Sequence, residues 1–124
     1  MRKLIVGCIA LIAIPAMTSA ARADCRIMSF VFHMAQHETV STTGVSTGGS
    51  ACVTRLRSGT TSFFSSASVV SPPSHGALPQ VGTMRITYKP KRGFKGMDRY
   101  AVRICGTDRA GTGCAILNYV ITVE

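Results

Sequence analysis

TMRITYK, residues 83–89, alternates one polar with one apolar side chain along its whole length. In an extended chain Met84, Ile86 and Tyr88 face one way, and the polar side chains face the other. A period of two with one apolar face is typical of a strand that buries one side in an antiparallel sheet. The stretch therefore predicts a β-sheet protein.

The same alternation recurs on both sides of this stretch. Downstream, three apolar side chains of residues 99–105 lie on one face of the predicted strand: Tyr100, Val102 and Ile104. Five apolar side chains of residues 114–123 also share one face: Ala115, Leu117, Tyr119, Ile121 and Val123. Upstream, residues 50–57 and 25–34 show the pattern too. Helical periodicity is almost absent after residue 23, so the sequence predicts an all-β fold.

The segments between these predicted strands are rich in turn-forming residues. Residues 39–50 contain Ser, Thr and Gly with little to bury, and they predict a mobile loop. Residues 58–68 are Ser-rich but include two phenylalanines, which is compatible with a short strand. Residues 71–76 predict a turn, because prolines cannot donate ladder hydrogen bonds. Residues 106–113 predict a Gly-rich hairpin loop. Together these segments favour a small antiparallel β-sandwich.

Residues 1–23 have the organisation of a cleavable signal peptide. Arg2 and Lys3 precede an uncharged apolar run at 4–14, and Ala-Arg-Ala at 21–23 supplies small residues for cleavage. The run of about a dozen residues is shorter than the roughly 20 that cross a membrane. We therefore expect one mature domain, residues 24–124, that is periplasmic or secreted and has no transmembrane segment.

Cys8 offers an alternative to cleavage after residue 23. Ile5-Val6-Gly7-Cys8 matches the residue types of a bacterial lipoprotein box, and lipidation there would tether the domain to a membrane. However, only a few apolar residues precede Cys8, and the apolar run continues well beyond it. We therefore interpret Cys8 as an ordinary residue of the signal peptide.

Four cysteines remain in the predicted mature chain: Cys25, Cys52, Cys105 and Cys114. An even number of cysteines in a short exported chain predicts a disulfide framework. Three pairings are possible. We favour Cys25–Cys52 and Cys105–Cys114, because each pair brackets neighbouring predicted strands. A zinc site is disfavoured, since the chain has no C-x-x-C and an exported chain meets oxidising conditions.

The predicted mature chain is basic, with 11 Lys and Arg residues against 5 Asp and Glu, a net charge of +6. Such a charge favours anionic partners, although it also serves solubility alone. The densest cluster lies between two predicted strands and comprises Lys89, Lys91, Arg92, Lys95 and Arg99. We predict that this edge binds an anionic envelope component or a protein partner; the alternative is a solvated turn. Arg85 and Arg103 would widen the patch if their strands are neighbours.

Other chemistries have weaker support. His33 and His37 are metal-ligand candidates if they lie on a helix, whereas a strand would separate them by about 13 Å. A small periplasmic metal-binding protein is therefore an alternative function, and no cofactor is expected. The chain contains no G-x-S-x-G or S-x-x-K motif and few acidic residues, which disfavours an enzyme or a calcium site. It also lacks a motif for specific nucleic-acid recognition.

Two motifs stand in the C-terminal half: SPPSHGAL at 71–78 and ITYKPKRGFKGMDRY at 86–100. They resemble the bacterial Ig-like, cadherin-like repeat, which has a Pro-x-x-Gly turn followed by Tyr-x-Pro-x-x-Gly-Phe-x-Gly-x-Asp. The resemblance covers about residues 69–124. It implies an Ig-like sandwich and a role in surface structure or cell adhesion, since such domains usually occur in tandem in surface proteins and adhesins. This chain adds four cysteines and replaces acidic positions with basic ones, which argues against calcium dependence.

Overall fold

The computed structural model describes residues 12–15 and 23–124. All regular elements there are strands: β1 Cys25–Ile27, β2 Thr39–Ser46, β3 Cys52–Arg55, β4 Phe63–Ser71, β5 Gly76–Val81, β6 Arg85–Pro90, β7 Gly96–Asp108 and β8 Gly111–Val123. The predicted signal peptide and Cys8 lie outside these residues, apart from 12–15 and Ala23. Over the described ranges, no helix is long and apolar enough to cross a membrane.

The strands form two sheets, with the orders β1-β2-β8-β7-β4 and β3-β6-β5. Strands β3 to β8 follow the order of an immunoglobulin-type sandwich, in which the second, fourth and fifth of seven strands share one sheet and the third, sixth and seventh share the other. The fold is therefore the predicted small Ig-like β-sandwich. One pairing differs from the antiparallel prediction, because β2 runs parallel to β8 from Thr39–Ile116 to Ser46–Val123. Parallel pairing is possible here since a long connection separates the two strands.

The inward faces predicted for the C-terminal strands form the core between the sheets. Ile86 and Tyr88 of β6 are fully buried, as are the predicted inward residues of β7 and β8. Burying each such side chain contributes about 1.5–3 kcal/mol. The prediction that Met84 faces the core is wrong: Met84 is 77% exposed, because it precedes the first residue of β6.

A stack of three tyrosines lies at the centre of this core. The ring centroids of Tyr88 and Tyr100 are 5.0 Å apart, and those of Tyr100 and Tyr119 are 4.5 Å apart. Burial raises the pKa of all three phenols, that of Tyr119 to about 12. Among the described residues, the buried hydroxyls of Thr54, Tyr100 and Tyr119 have no hydrogen-bond partner. All three tyrosines therefore stay neutral at physiological pH.

The prediction of a mobile loop at 39–50 is wrong, because most of this segment is β2, inside the five-stranded sheet. Its inward residues are small: Thr42, Gly44 and Ser46 are all buried. The Thr42 hydroxyl donates to the Met28 carbonyl at 2.8 Å, and the Ser46 hydroxyl donates to the Ser50 carbonyl at 2.6 Å. These hydrogen bonds satisfy the hydroxyls, so a strand with few large apolar residues is buried without penalty.

The predicted strand 25–34 is also shorter than expected, since β1 ends at Ile27. The Thr42 hydroxyl donates a hydrogen bond to the Met28 carbonyl, where the pairing of β1 with β2 ends. Residues 28–38 then cross one end of the sandwich. In contrast, the hairpin loop predicted at 106–113 is mostly strand, because β7 continues to Asp108 and β8 begins at Gly111. The strand β5 was not predicted.

The two disulfides have the predicted pairing. Cys25–Cys52 joins β1 of one sheet to β3 of the other, and Cys105–Cys114 links directly opposite residues of the β7–β8 hairpin. On a chain-entropy estimate they stabilise the fold by about 3.5 and 2.5 kcal/mol. Two intramolecular disulfides indicate an oxidising compartment.

Candidate anion-binding site

The basic cluster lies on the turn at residues 91–95, which joins β6 to β7. Pro90 has no N–H to donate and is the last residue of β6. The Phe94 N–H then donates to the Lys91 carbonyl at 3.0 Å, and Gly93 takes a φ of 81° that favours glycine. The sequence Pro-Lys-Arg-Gly-Phe therefore folds locally into a tight turn that leaves the cationic side chains in solvent.

Asp98, in β7 just after this turn, anchors the neighbouring turn at 72–75. Its carboxylate is buried and accepts hydrogen bonds from the backbone N–H groups of Ser74 and His75 at 3.0 Å and of Arg99 at 2.9 Å. The Tyr88 hydroxyl also donates to it, at 2.8 Å. The Asp98 carboxylate therefore holds the turn at 72–75 and a core tyrosine to the start of β7.

Two further contacts tie the turns to each other. The Lys91 N–H donates to the His75 carbonyl at 2.8 Å. The rings of Phe94 and His75 stack with their centroids 4.2 Å apart and an angle of 5° between their planes. The basic turn therefore has a braced backbone, and its long side chains are the mobile part.

Four cations of the predicted cluster line one open concavity of about 720 Å³: Lys89, Lys91, Arg92 and Lys95. All four side chains are exposed. The opposite wall includes Gly48 and Gly49 of the β2–β3 turn, whose positive φ values of 62° and 72° suit glycine. Because these glycines carry no side chains, the cations surround a space that is open to a ligand.

The positive charge of this concavity, referred to below as the basic concavity, is poorly balanced. The ion pairs in residues 12–15 and 23–124 are Arg26–Asp24 and His33–Glu38, and neither involves the four cations. Glu124 is the one acidic residue that lines the concavity, and the sequence contains no Asp or Glu between residues 39 and 97. An anion bound there gains charge-assisted hydrogen bonds from ammonium and guanidinium groups.

Arg99 does not belong to this concavity. It projects from β7 on the outer face of the five-stranded sheet, where Arg103 is also exposed. Arg85 projects from β6, which belongs to the other sheet. The expectation that Arg85 and Arg103 widen the patch is therefore wrong, because their strands are not neighbours and their side chains lie on opposite outer faces.

The histidine candidates lie beside a turn at the other end of the sandwich. His33 Nδ1 is 3.2 Å from a carboxylate oxygen of Glu38, which also accepts the backbone N–H of His33. His37 has a φ of 51°, and its N–H donates to the Met34 carbonyl at 3.0 Å. The local structure is thus neither the helix nor the strand considered from sequence. Among residues 12–15 and 23–124, no group of three or more His, Cys, Asp or Glu side chains is arranged to hold a metal.

Sequence reasoning missed the Gly48–Gly49 wall and Glu124. Both are distant in sequence from the basic turn, and 39–50 was expected to be a loop rather than a strand that ends beside it. Comparison with known proteins adds no relative: no family model matches the chain, and no curated protein or solved structure is significantly similar to it.

Proposed function

We propose that this chain is an exported Ig-like binding module of the cell envelope or extracellular space, akin to the cadherin-like repeats. It contacts an anionic polymer through the basic concavity. The observation that carries this proposal is the grouping of Lys89, Lys91, Arg92 and Lys95 around one open space without ion-pair partners among the described residues.

The construction of the site supports binding. The backbone that carries the cations is held by the hydrogen bond from the Lys91 N–H to the His75 carbonyl and by the stacked Phe94 and His75 rings. A braced turn loses little conformational freedom when a ligand binds, which favours affinity. Three of the four cations are lysines, which act as point charges with flexible stems. Such groups suit a polymer with repeated carboxylates or phosphates better than a single shaped ligand.

The two disulfides support export, since disulfides form and persist outside the reducing cytosol. The signal-peptide organisation of residues 1–23 agrees with this. Outside the cytosol, peptidoglycan and acidic polysaccharides present dense carboxylates, and we take a carboxylate-bearing glycan as the partner class.

The experiment compares binding to carboxymethyl dextran and to neutral dextran by surface plasmon resonance. The protein is the full chain expressed for export and purified with both disulfides formed. We expect binding to the charged polymer alone, with an affinity that falls steeply as salt rises, because screening weakens contacts between exposed charges.

A triple variant, Lys91→Ala, Arg92→Ala and Lys95→Ala, should remove most of this binding. The matched control is Arg99→Ala, Arg103→Ala and Arg109→Ala, which removes the same charge away from the basic concavity. If the two triple variants lose binding equally, net charge rather than the basic concavity causes it, and the proposal fails. Equal binding to both dextrans would also contradict it.

A further inference from the structure

A second concavity lies at the opposite end of the strands and does not involve the basic turn. It is a half-open groove of about 520 Å³, within the usual range of ligand sites. Residues 53–57, from β3 and the chain just after it, form one wall. Residues 29–34, which cross the end of the sandwich, form the other. We refer to it as the aromatic groove.

The floor of the aromatic groove is apolar. Phe30, Phe32 and Phe64 line it and are only partly buried. The Phe32 and Phe64 rings are stacked with centroids 5.8 Å apart, and the Phe30 and Phe32 centroids are 6.2 Å apart. Leu56 and Ile27 extend this surface. Apolar side chains of a ligand would therefore lose contact with water here.

The rim beside β3 is cationic. Arg55 and Arg57 line the groove, are exposed and take part in neither of the ion pairs of the described residues. Arg55 also lies directly opposite Arg85 in the β3–β6 pairing. Like charges at directly opposite positions of an antiparallel pair destabilise it. A carboxylate on the other side of Arg55 would offset that repulsion.

The other charged or ionisable side chains that line the aromatic groove lie away from β3. The Asp108 carboxylate accepts the backbone N–H groups of Ala35 at 3.0 Å and Ala110 at 2.9 Å, so it is engaged at the far end. His33 is paired with Glu38. The positive character of the aromatic groove is therefore confined to the β3 side.

The β3 wall is also the outer edge of a sheet, beside which β1 is held at Cys52 by the Cys25–Cys52 disulfide. β3 pairs with β6 on one side and is the outermost strand of its sheet on the other. An edge strand presents backbone N–H and C=O groups that can pair with another chain. The side chain of Thr54, more than nine-tenths buried, lines the groove, and its hydroxyl has no hydrogen-bond partner within the described part of the chain.

We infer that the aromatic groove binds an extended peptide segment of a partner protein that adds as a strand along β3. Acidic side chains at alternate positions lie beside Arg55 and Arg57, and the apolar side chains between them pack on the phenylalanine floor. The alternation fits β3, since its odd-numbered residues face outward and its even-numbered residues face the core. Strand addition of this kind takes affinity from main-chain hydrogen bonds and specificity from alternate side chains.

The occupant is a different protein rather than a second copy of this chain. Of the eight strands, only β7 contains acidic residues, Asp98 and Asp108. Asp98 is buried and Asp108 holds backbone groups, so no strand offers acidic side chains at alternate exposed positions. This inference does not depend on the polymer-binding function.

The test measures fluorescence anisotropy of a labelled peptide, Glu-Phe-Glu-Val-Glu-Phe, with the full chain purified after export. We expect saturable binding, and shifts in the ¹⁵N–¹H spectrum concentrated at residues 53–57. Two further peptides carry N-methyl groups on alternate amides, one on the odd set and one on the even set. Only one set of N–H groups faces β3, so one methylated peptide should lose binding and the other should keep it.

The variant pair Arg55→Ala and Arg57→Ala should weaken binding about tenfold, from the loss of two opposite-charge cross-strand pairs. The control pair Arg99→Ala and Arg103→Ala removes equal charge from the other sheet and should keep the affinity. The triple variant of the basic turn should keep it as well, which separates this test from that of the polymer site. Circular dichroism and a count of free thiols check that each variant is folded.

Three results would overturn the inference. Equal weakening by both arginine pairs would indicate general charge attraction. Unchanged binding of both methylated peptides would exclude strand addition. Binding of sodium oleate at residues 53–57 without binding of the peptide would identify the aromatic groove as a lipid site.

Discussion

The two ends of the sandwich differ in what they present to solvent. At the β6–β7 end, Phe94 is covered by His75, and the exposed groups of the basic concavity are cations. At the β7–β8 end, three phenylalanine rings remain partly open beside two arginines and a free strand edge. A concavity rimmed by four cations suits a flexible charged polymer, whereas three phenylalanine rings beside a strand edge suit a segment of defined shape.

Each end is braced by one aspartate, but to different degrees. Asp98 is 2% exposed and accepts four hydrogen bonds, so the turn at 72–75, against which the basic turn packs, is fixed to β7. Asp108 is more exposed and accepts two. The difference indicates that the end with the basic concavity is more firmly held than the end with the aromatic groove.

The largest expected effect comes from the disulfides, one near each end. Replacing Cys25 and Cys52 by alanine should lower the free energy of unfolding by about 3.5 kcal/mol, because this bridge closes the longer loop. Replacing Cys105 and Cys114 should lower it by about 2.5 kcal/mol. Urea unfolding of the two double variants measures both values. A larger loss of unfolding free energy for the Cys105 and Cys114 variant than for the Cys25 and Cys52 variant would contradict this order.

Asp98→Ala should destabilise the protein by about 3 kcal/mol, because it leaves the buried Tyr88 hydroxyl and several backbone N–H groups without a hydrogen-bond acceptor. Asp108→Ala, the matched change at the other end, should cost clearly less. Urea midpoints of both variants test the order. A similar loss for both would show that the two ends are braced alike.

The sequence predicts the C-terminal strands more accurately than the N-terminal ones. In β6 and β7 large apolar residues mostly alternate with polar ones, and β8 has a continuous inward apolar face, so strands, faces and the hairpin disulfide were all predictable. In β2 the inward positions hold Thr42, Gly44 and Ser46, which give no apolar alternation. Their burial depends on hydrogen bonds to Met28 and Ser50, and such contacts cannot be read from local sequence.

The two candidate sites differ in the same way. The basic turn is contiguous in sequence, so its charge density was visible before the structure. The aromatic groove combines residues 29–34, residues 53–57 and Phe64, and the alternation of Phe30 and Phe32 by itself predicts only a strand face. Only the topology brings these segments together, because β3 becomes a sheet edge beside the crossing segment.

Arg85→Glu should stabilise the protein by about 0.5 kcal/mol, because it replaces a like-charge pair with Arg55 by an opposite-charge pair. The control, Arg103→Glu, makes the same charge change on the other outer face, where Arg103 lies opposite Ile116. Thermal unfolding of both variants separates the local effect from the change in net charge. Equal gains would show that the Arg55–Arg85 repulsion is negligible.

The smallest expected effect is a pH dependence at the aromatic end. The backbone N–H groups of Ala35 and Ala110 stabilise the Asp108 carboxylate, and the nearby His33 adds to this, so the pKa of Asp108 lies below its ordinary value of 3.8. A pKa lowered by folding contributes stability that is fully present above the unfolded-state pKa and is lost as pH falls through the folded-state pKa. The advantage of the wild-type chain over Asp108→Asn, measured by urea unfolding, should therefore shrink as pH falls below about 4. An advantage that grows below about pH 4 would contradict the proposed role of Asp108, because the neutral side chain would then be the better acceptor of these two backbone groups.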